Sequence, residues 1–153
     1  MDKTSRANVT EEGFYTFLKI SVHLTGFGEN ELLATGMHET YYFTIMKEPD
    51  QDTVRAFFDT AQSILDDNAG NANQLKKEIG ARLIPDSEFG GLAKKIILMW
   101  YTGIWTITTN DGPKMEMISA ESYVQGLIWL AAETHPAGAK QPGYASWAQT
   151  PLS

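Results

Sequence analysis

Val54-Arg55-Ala56-Phe57-Phe58-Asp59-Thr60-Ala61-Gln62-Ser63-Ile64-Leu65 decides the fold class. Its apolar residues, Val54, Phe57, Phe58, Ala61, Ile64 and Leu65, recur at i, i+3, i+4, i+7, i+10 and i+11, the spacing that gathers side chains on one face of an α-helix. Asp50 and Asp52 stand just before it, where acidic residues cap a helix and complement its dipole. The segment is an amphipathic helix that needs other elements to cover its apolar face.

Towards the N-terminus the same periodicity continues. Thr10 with Glu11 and Glu12 reads as an N-cap followed by an acidic first turn, and Phe14, Phe17, Leu18, Val22 and Thr25 follow at helical spacing, predicting a helix from about Glu11 to Thr25. Gly26-Phe27-Gly28 breaks it. Asn30 then reads as the cap of a second helix with Leu32, Leu33, Met37, Tyr41 and Ile45 on one face, ending before Pro49.

Towards the C-terminus, Asp66-Asp67-Asn68-Ala69-Gly70-Asn71 is a polar break, and Leu75, Ile79 and Leu83 mark a short helix closed at Ile84-Pro85. A longer helix is predicted from Asp86 or Ser87 to about Gly103, burying Leu92, Ile96, Met99 and Trp100. Ile104-Trp105-Thr106-Ile107-Thr108-Thr109 alternates and is β-branched, but one isolated strand does not persist, so it reads as a loop with at most a small ribbon. Ser119 starts a last helix carrying Tyr123, Leu127, Leu130 and Ala131, stopped by Pro136. From Pro136 to Ser153 three prolines, two glycines, Tyr144 and Trp147 follow no period. The expectation is therefore an all-α, single-domain bundle of about six helices over residues 1–153, with a flexible N-terminus (1–10) and an irregular aromatic- and Pro-rich tail (136–153) that packs either onto a partner or back over its own bundle, covering Trp100 and Trp105.

Bulk composition narrows the function. The chain has 153 residues, 42% of them hydrophobic and 20% charged, enough for one domain with a true core. A net charge of −7 with no basic cluster lacks the field that attracts phosphate backbones, which argues against nucleic acid. With no cysteine, thiolate nucleophiles, Cys-ligated zinc, iron–sulfur clusters and disulfides are excluded. The longest apolar run, Ile96 to Tyr101, is far shorter than the roughly 20 residues of a membrane span. Met1-Asp2-Lys3-Thr4-Ser5-Arg6 carries no secretory h-region.

Catalytic chemistry finds little footing. His23, His38 and His135 fall in different predicted elements without metal-ligand spacing and read as ordinary structural or surface histidines. Gly26-Phe27-Gly28-Glu29-Asn30 lacks the strand, lysine and third glycine of a phosphate loop and reads as punctuation between helices. The pairs Glu11-Glu12 and Asp66-Asp67 read as capping and solvation of helix ends. No catalytic, cofactor-binding or metal-binding residue is assigned.

Four phrases in order carry a resemblance. They are Phe17-Leu18-Lys19-Ile20-Ser21-Val22-His23-Leu24-Thr25-Gly26-Phe27; Ile97-Leu98-Met99-Trp100-Tyr101-Thr102-Gly103-Ile104; Tyr123 with Gly126-Leu127-Ile128-Trp129; and Pro142-Gly143-Tyr144-Ala145-Ser146-Trp147-Ala148-Gln149-Thr150-Pro151. Spanning about Phe14 to Pro151, the chain resembles the small subunits of membrane-bound, FAD-dependent sorbitol, glucose, fructose and gluconate dehydrogenases. The Trp100-Tyr101-Thr102-Gly103 phrase is the most specific of the four.

The resemblance implies a non-catalytic subunit that binds a large FAD-containing, glucose–methanol–choline-type subunit and supports its folding, stability and export. A membrane-anchoring cytochrome c subunit carrying haem c would complete such a complex on the periplasmic face of the inner membrane. Trp100, Tyr101, Trp105, Tyr144 and Trp147 are the aromatic anchors expected at the partner interface. Three departures stand out. No Arg-Arg pair and no h-region precede Phe14, which leaves a cytoplasmic location open; a residue is inserted within the closing phrase, where Ala145-Ser146 precede Trp147; and the cysteine that some members carry before it is absent. The competing readings are a stand-alone helical binding or regulatory module and an independent helical enzyme, the latter without any nucleophile–base spacing to support it.

Overall fold

The structure, a computed structural model, describes residues 9–133. Its chain gathers into two compact units, one through Ile97 and one from Leu98 onward. The described residues are mostly helical, and their strands are confined to one two-stranded ribbon. Residues 1–8 and the predicted tail, 136–153, lie outside the described residues.

In the first unit a single π-helical turn, Val9–Gly13, leads into α1, Phe14–Thr25. Thr10, expected as an N-cap, lies inside that turn. The helix is closed at Gly26, whose φ of 83° is the left-handed stop that only glycine adopts without strain. Thr25 reinforces the stop, since its hydroxyl donates to the Ser21 carbonyl (2.8 Å) and accepts from the Phe27 N–H (3.1 Å).

The second predicted helix divides in two. α2, Glu29–Ala34, starts one residue before the expected cap Asn30, with the Gly28 N–H donating to Glu31 Oε1 (2.8 Å). α3, His38–Met46, begins after Gly36. The division comes from Gly36 at φ 71° and from Thr35, whose hydroxyl donates back to Leu32 (2.7 Å) and accepts from the Met37 N–H (3.1 Å).

α4, Gln51–Asp67, is the helix that the opening periodicity predicts. Asp50 caps it by accepting from the Thr53 N–H, and Val54, Phe57, Phe58, Ala61 and Ile64 are buried along its inner face. Phe57 meets Phe58 and Phe89 edge-on, each with ring centroids 5.4 Å apart, while Phe58 also faces Phe17 of α1 at 6.4 Å. Each fully buried aromatic of this kind contributes roughly 1.5–3 kcal/mol of transfer free energy.

α5, Ala72–Arg82, follows with Asn71 as its cap and Leu75 and Ile79 buried. The long helix expected from Asp86 to Gly103 is interrupted. Gly90 and Gly91, at φ 62° and 80°, separate α6, Asp86–Phe89, from α7, Leu92–Thr102. Near the start of α7, Lys95 is paired with Glu48 at 3.5 Å, both side chains largely withdrawn from water.

In the second unit, the residues read as a loop form β1, Ile104–Thr109, which pairs antiparallel with β2, Gly112–Met117, in the register Ile104↔Met117 to Thr109↔Gly112. The missing partner strand is the correction here: β2, with Gly112, Pro113, Lys114 and Glu116 among its six residues, has low strand propensity, and Asn110-Asp111 before Gly112 at φ 109° makes the two-residue turn that joins it to β1. Ser119 caps the next helix as expected, reciprocally with Ser122. That helix is again two: α8, Ala120–Val124, and α9, Leu127–Ala131, divided at Gln125-Gly126.

Candidate interaction surfaces

The second and third family-like phrases meet within the second unit. Trp100 has no solvent exposure, Trp105 is 5% exposed, and Tyr101 is half-buried. α7 ends because Gly103 takes φ 77°, and a Cβ there would lie 2.5 Å from the Ser122 carbonyl oxygen, too close for any side chain. The Gly103 carbonyl accepts from the Ile118 N–H (2.9 Å) and from the fully buried Ser122 hydroxyl (3.1 Å). That hydroxyl also lies 2.8 Å from the Ser119 carbonyl and accepts from the Ser119 N–H at 3.0 Å.

Gly126 makes the second close approach: its Cβ would sit 2.6 Å from the Tyr101 carbonyl oxygen. Just beyond, Trp129 Nε1 donates to the Tyr123 carbonyl (2.9 Å) and the two rings stand edge to face at 5.5 Å. Trp100-Tyr101-Thr102-Gly103 and Ser122-Tyr123 through Trp129 therefore form one joint, in which backbone lies against backbone where the glycines permit it.

Of the five aromatic residues expected at a partner interface, Trp100 and Trp105 are buried, Tyr101 is half-buried in the joint, and Tyr144 and Trp147 lie outside the described residues. What the second unit exposes instead is Met115 (63%), Met117, Ile128 and Leu130 (57%). The two methionines went unread because β2 itself did; the signal that could have found them is the Asn110-Asp111-Gly112 turn after an alternating run.

The first unit carries an open groove of about 1110 Å³ between α1 and α4. Tyr42, Val54, Phe58 and Leu65 contribute apolar wall, and Thr16 bridges the two helices through a hydrogen bond to Gln62 Oε1. Tyr15 is exposed on the rim, with the Lys19 ammonium 5.0 Å from its ring centroid. His23 also lines the groove; solvent reaches the residue, but the wall removes part of the imidazole's hydration and lowers its pKa below the usual 6.5.

Burial pushes the Tyr41 hydroxyl well above the usual phenol range. His38 rests against Phe14 with ring centroids 5.7 Å apart, and its Nδ1 is buried with no hydrogen-bond partner among the described residues. His135 lies outside them. Asp66 and Asp67 accept from Gln62 and Ser63 one turn earlier, at the solvated end of α4. Among the described residues no three His, Asp or Glu side chains come together to hold a metal ion, and no helix is long and apolar enough to cross a membrane. Comparison with protein-family models, curated proteins and solved structures gives no match.

Proposed function

We propose that this chain is a non-catalytic small subunit of an FAD-dependent sugar, polyol or sugar-acid dehydrogenase, which supports folding, stability and export of the large flavoprotein subunit. The observation that carries the reading is the joint. Two of the family-like phrases, Ile97 to Ile104 and Tyr123 with Gly126 to Trp129, come together where Gly103 lies against Ser122 and Gly126 lies against the Tyr101 carbonyl. Glycines required by that close approach make these phrases a fold signature more than a cofactor box. FAD belongs to the large, glucose–methanol–choline-type partner, and haem c to a membrane-anchoring cytochrome subunit where one is present. The complex would work at the periplasmic face of the inner membrane.

The aromatic residues Tyr144 and Trp147, flanked by Pro142 and Pro151, are the anchors assigned to the large subunit, since prolines reduce the ordering cost of an extended contact. Exposed Ile128 and Leu130 on α9 lead the chain into them.

Co-expression with the flavoprotein subunit, followed by absorbance measurement of FAD in the co-purified material, tests the proposal. The expected result is a stoichiometric yellow complex that Tyr144→Ala with Trp147→Ala weakens at least tenfold while the small subunit stays folded. Separate elution, with the same FAD content in the flavoprotein whether or not this chain is present, would instead leave a stand-alone binding module, a reading favoured by the open groove between α1 and α4.

A further inference from the structure

The β1–β2 ribbon has an outer edge, and its chemistry is self-complementary. Ile118 N–H donates to the Gly103 carbonyl. Counting by twos from that pair, the residues that exchange hydrogen bonds inside the ribbon are Trp105 with Glu116, Ile107 with Lys114 and Thr109 with Gly112. The backbone groups of Pro113, Met115 and Met117 therefore point away from β1. Among the described residues nothing hydrogen-bonds to them, and all five residues from Pro113 to Met117 are exposed. An edge of this kind is a template for another strand.

The side chains sort by face. Pro113, Met115 and Met117 share one face with Ile104, Thr106 and Thr108, a face without a single charge, on which Met115 is 63% exposed. The other face of β2 carries Lys114 and Glu116, within 3.3 Å of one another and both at least half exposed. Laid antiparallel against its own copy and centred on Met115, the strand pairs Lys114 with the second copy's Glu116 and Glu116 with its Lys114. Those pairs fall at the non-hydrogen-bonded positions of the new ladder, where side chains approach most closely. Met115 faces Met115 at a hydrogen-bonded position, and each Met117 faces a Pro113, whose missing N–H costs one bond at either end of the ladder. Any other antiparallel register between the two copies that moves by one residue turns the apolar face of one copy towards the charged face of the other.

We propose that β2 is a self-association edge: a second copy of this chain adds antiparallel along Gly112–Met117, joining two ribbons into one four-stranded sheet with two reciprocal Lys114–Glu116 ion pairs on one face and a methionine–proline cluster on the other. Its residues are other than those of the tail assigned above to the flavoprotein.

Sedimentation velocity on the full chain over a range of concentrations tests it, with circular dichroism to verify that each variant is folded. The wild-type chain is expected to pass from monomer to dimer as concentration rises. Lys114→Glu sets two acids opposite two acids and Glu116→Lys sets two lysines opposite two lysines, so each alone weakens dimerisation by roughly tenfold or more. An equimolar mixture of the two variants restores dimers, now heterodimers, because the two acids of one copy then face the two lysines of the other. In the cysteine-free chain, Met115→Cys forms a disulfide-linked dimer under mild oxidation, since a hydrogen-bonded antiparallel pair holds its Cα atoms about 5.5 Å apart. A chain that stays monomeric at every concentration, a dimer indifferent to both charge reversals, or a mixture that fails to associate overturns the proposal.

Discussion

The unit through Ile97 and the unit from Leu98 onward are held by different physics. Around α4 the stabilising contacts are between side chains: Phe17, Phe57, Phe58 and Phe89 interlock, and the helices come together because each has an apolar stripe to cover. Around Gly103 the contacts are between backbones. Glycine hydrogens and one buried serine hydroxyl let α7, the ribbon and α8 approach to distances that no side chain would allow. Side-chain packing degrades gradually as volume is removed, whereas a backbone contact has no slack for an added methyl group.

That contrast can be broken from either side. Phe57→Ala removes a fully buried ring with edge-to-face partners and should cost about 3–5 kcal/mol, read as a fall in the denaturation midpoint at unchanged slope. Gly103→Ala should cost roughly 2–4 kcal/mol, because a left-handed φ and a backbone collision act together. Gly36→Ala is the control. Its φ is 71°, with nothing within 4 Å of the added carbon, so conformational strain alone should cost about 1–2 kcal/mol. Equal losses at the two glycines would mean that the approach of Ser122 contributes nothing.

Ser122→Ala sharpens the point at lower amplitude. It leaves the Gly103 carbonyl one donor short and opens the reciprocal cap of α8, for about 1–3 kcal/mol. The smallest effect expected is with pH. His23 has a folded-state pKa below 6.5, so the unfolded chain binds the proton more readily. The contribution of His23 is therefore full above about pH 6.5 and is lost as pH falls through the unfolded and then the folded pKa. Thermal melts of wild type and His23→Gln between about pH 7.5 and 5.5 should differ in slope, with the variant flatter; parallel curves would remove the assignment.

Side-chain packing is what a sequence displays best. The α4 stripe, the Asp50 and Ser119 caps and the burial of Trp100 could all be read from residue order, since periodicity and capping are local. Helix breaks at Gly36 and Gly90-Gly91 could not, because a glycine inside an apolar period costs only about 1 kcal/mol and does not by itself announce a left-handed turn; nor could the break at Gly126, where φ is −59° and the glycine admits the Tyr101 carbonyl. β2 was hidden for another reason: Gly-Pro-Lys-Met-Glu-Met has low strand propensity, and it is extended because β1 holds it. The four family-like phrases single out Gly103, but the proximity of Ser122 that requires a glycine there depends on tertiary approach, which no window of sequence contains.

The spans of these contacts also set an order of assembly. Gly103 reaches Ser122 across 19 residues and β1 meets β2 across a two-residue turn, so the second unit closes only short loops, with hairpin formation on a scale of about 1–10 μs. Thr16 reaches Gln62 across 46 residues, so the face of α1 that meets α4 stays open until α4 has been made, although Phe14 and Phe17 already have Tyr42 of α3. During synthesis the first unit must therefore leave that face of α1 open for the time needed to add those residues, roughly 2–9 s at ordinary elongation rates, while the second can form almost as fast as it emerges.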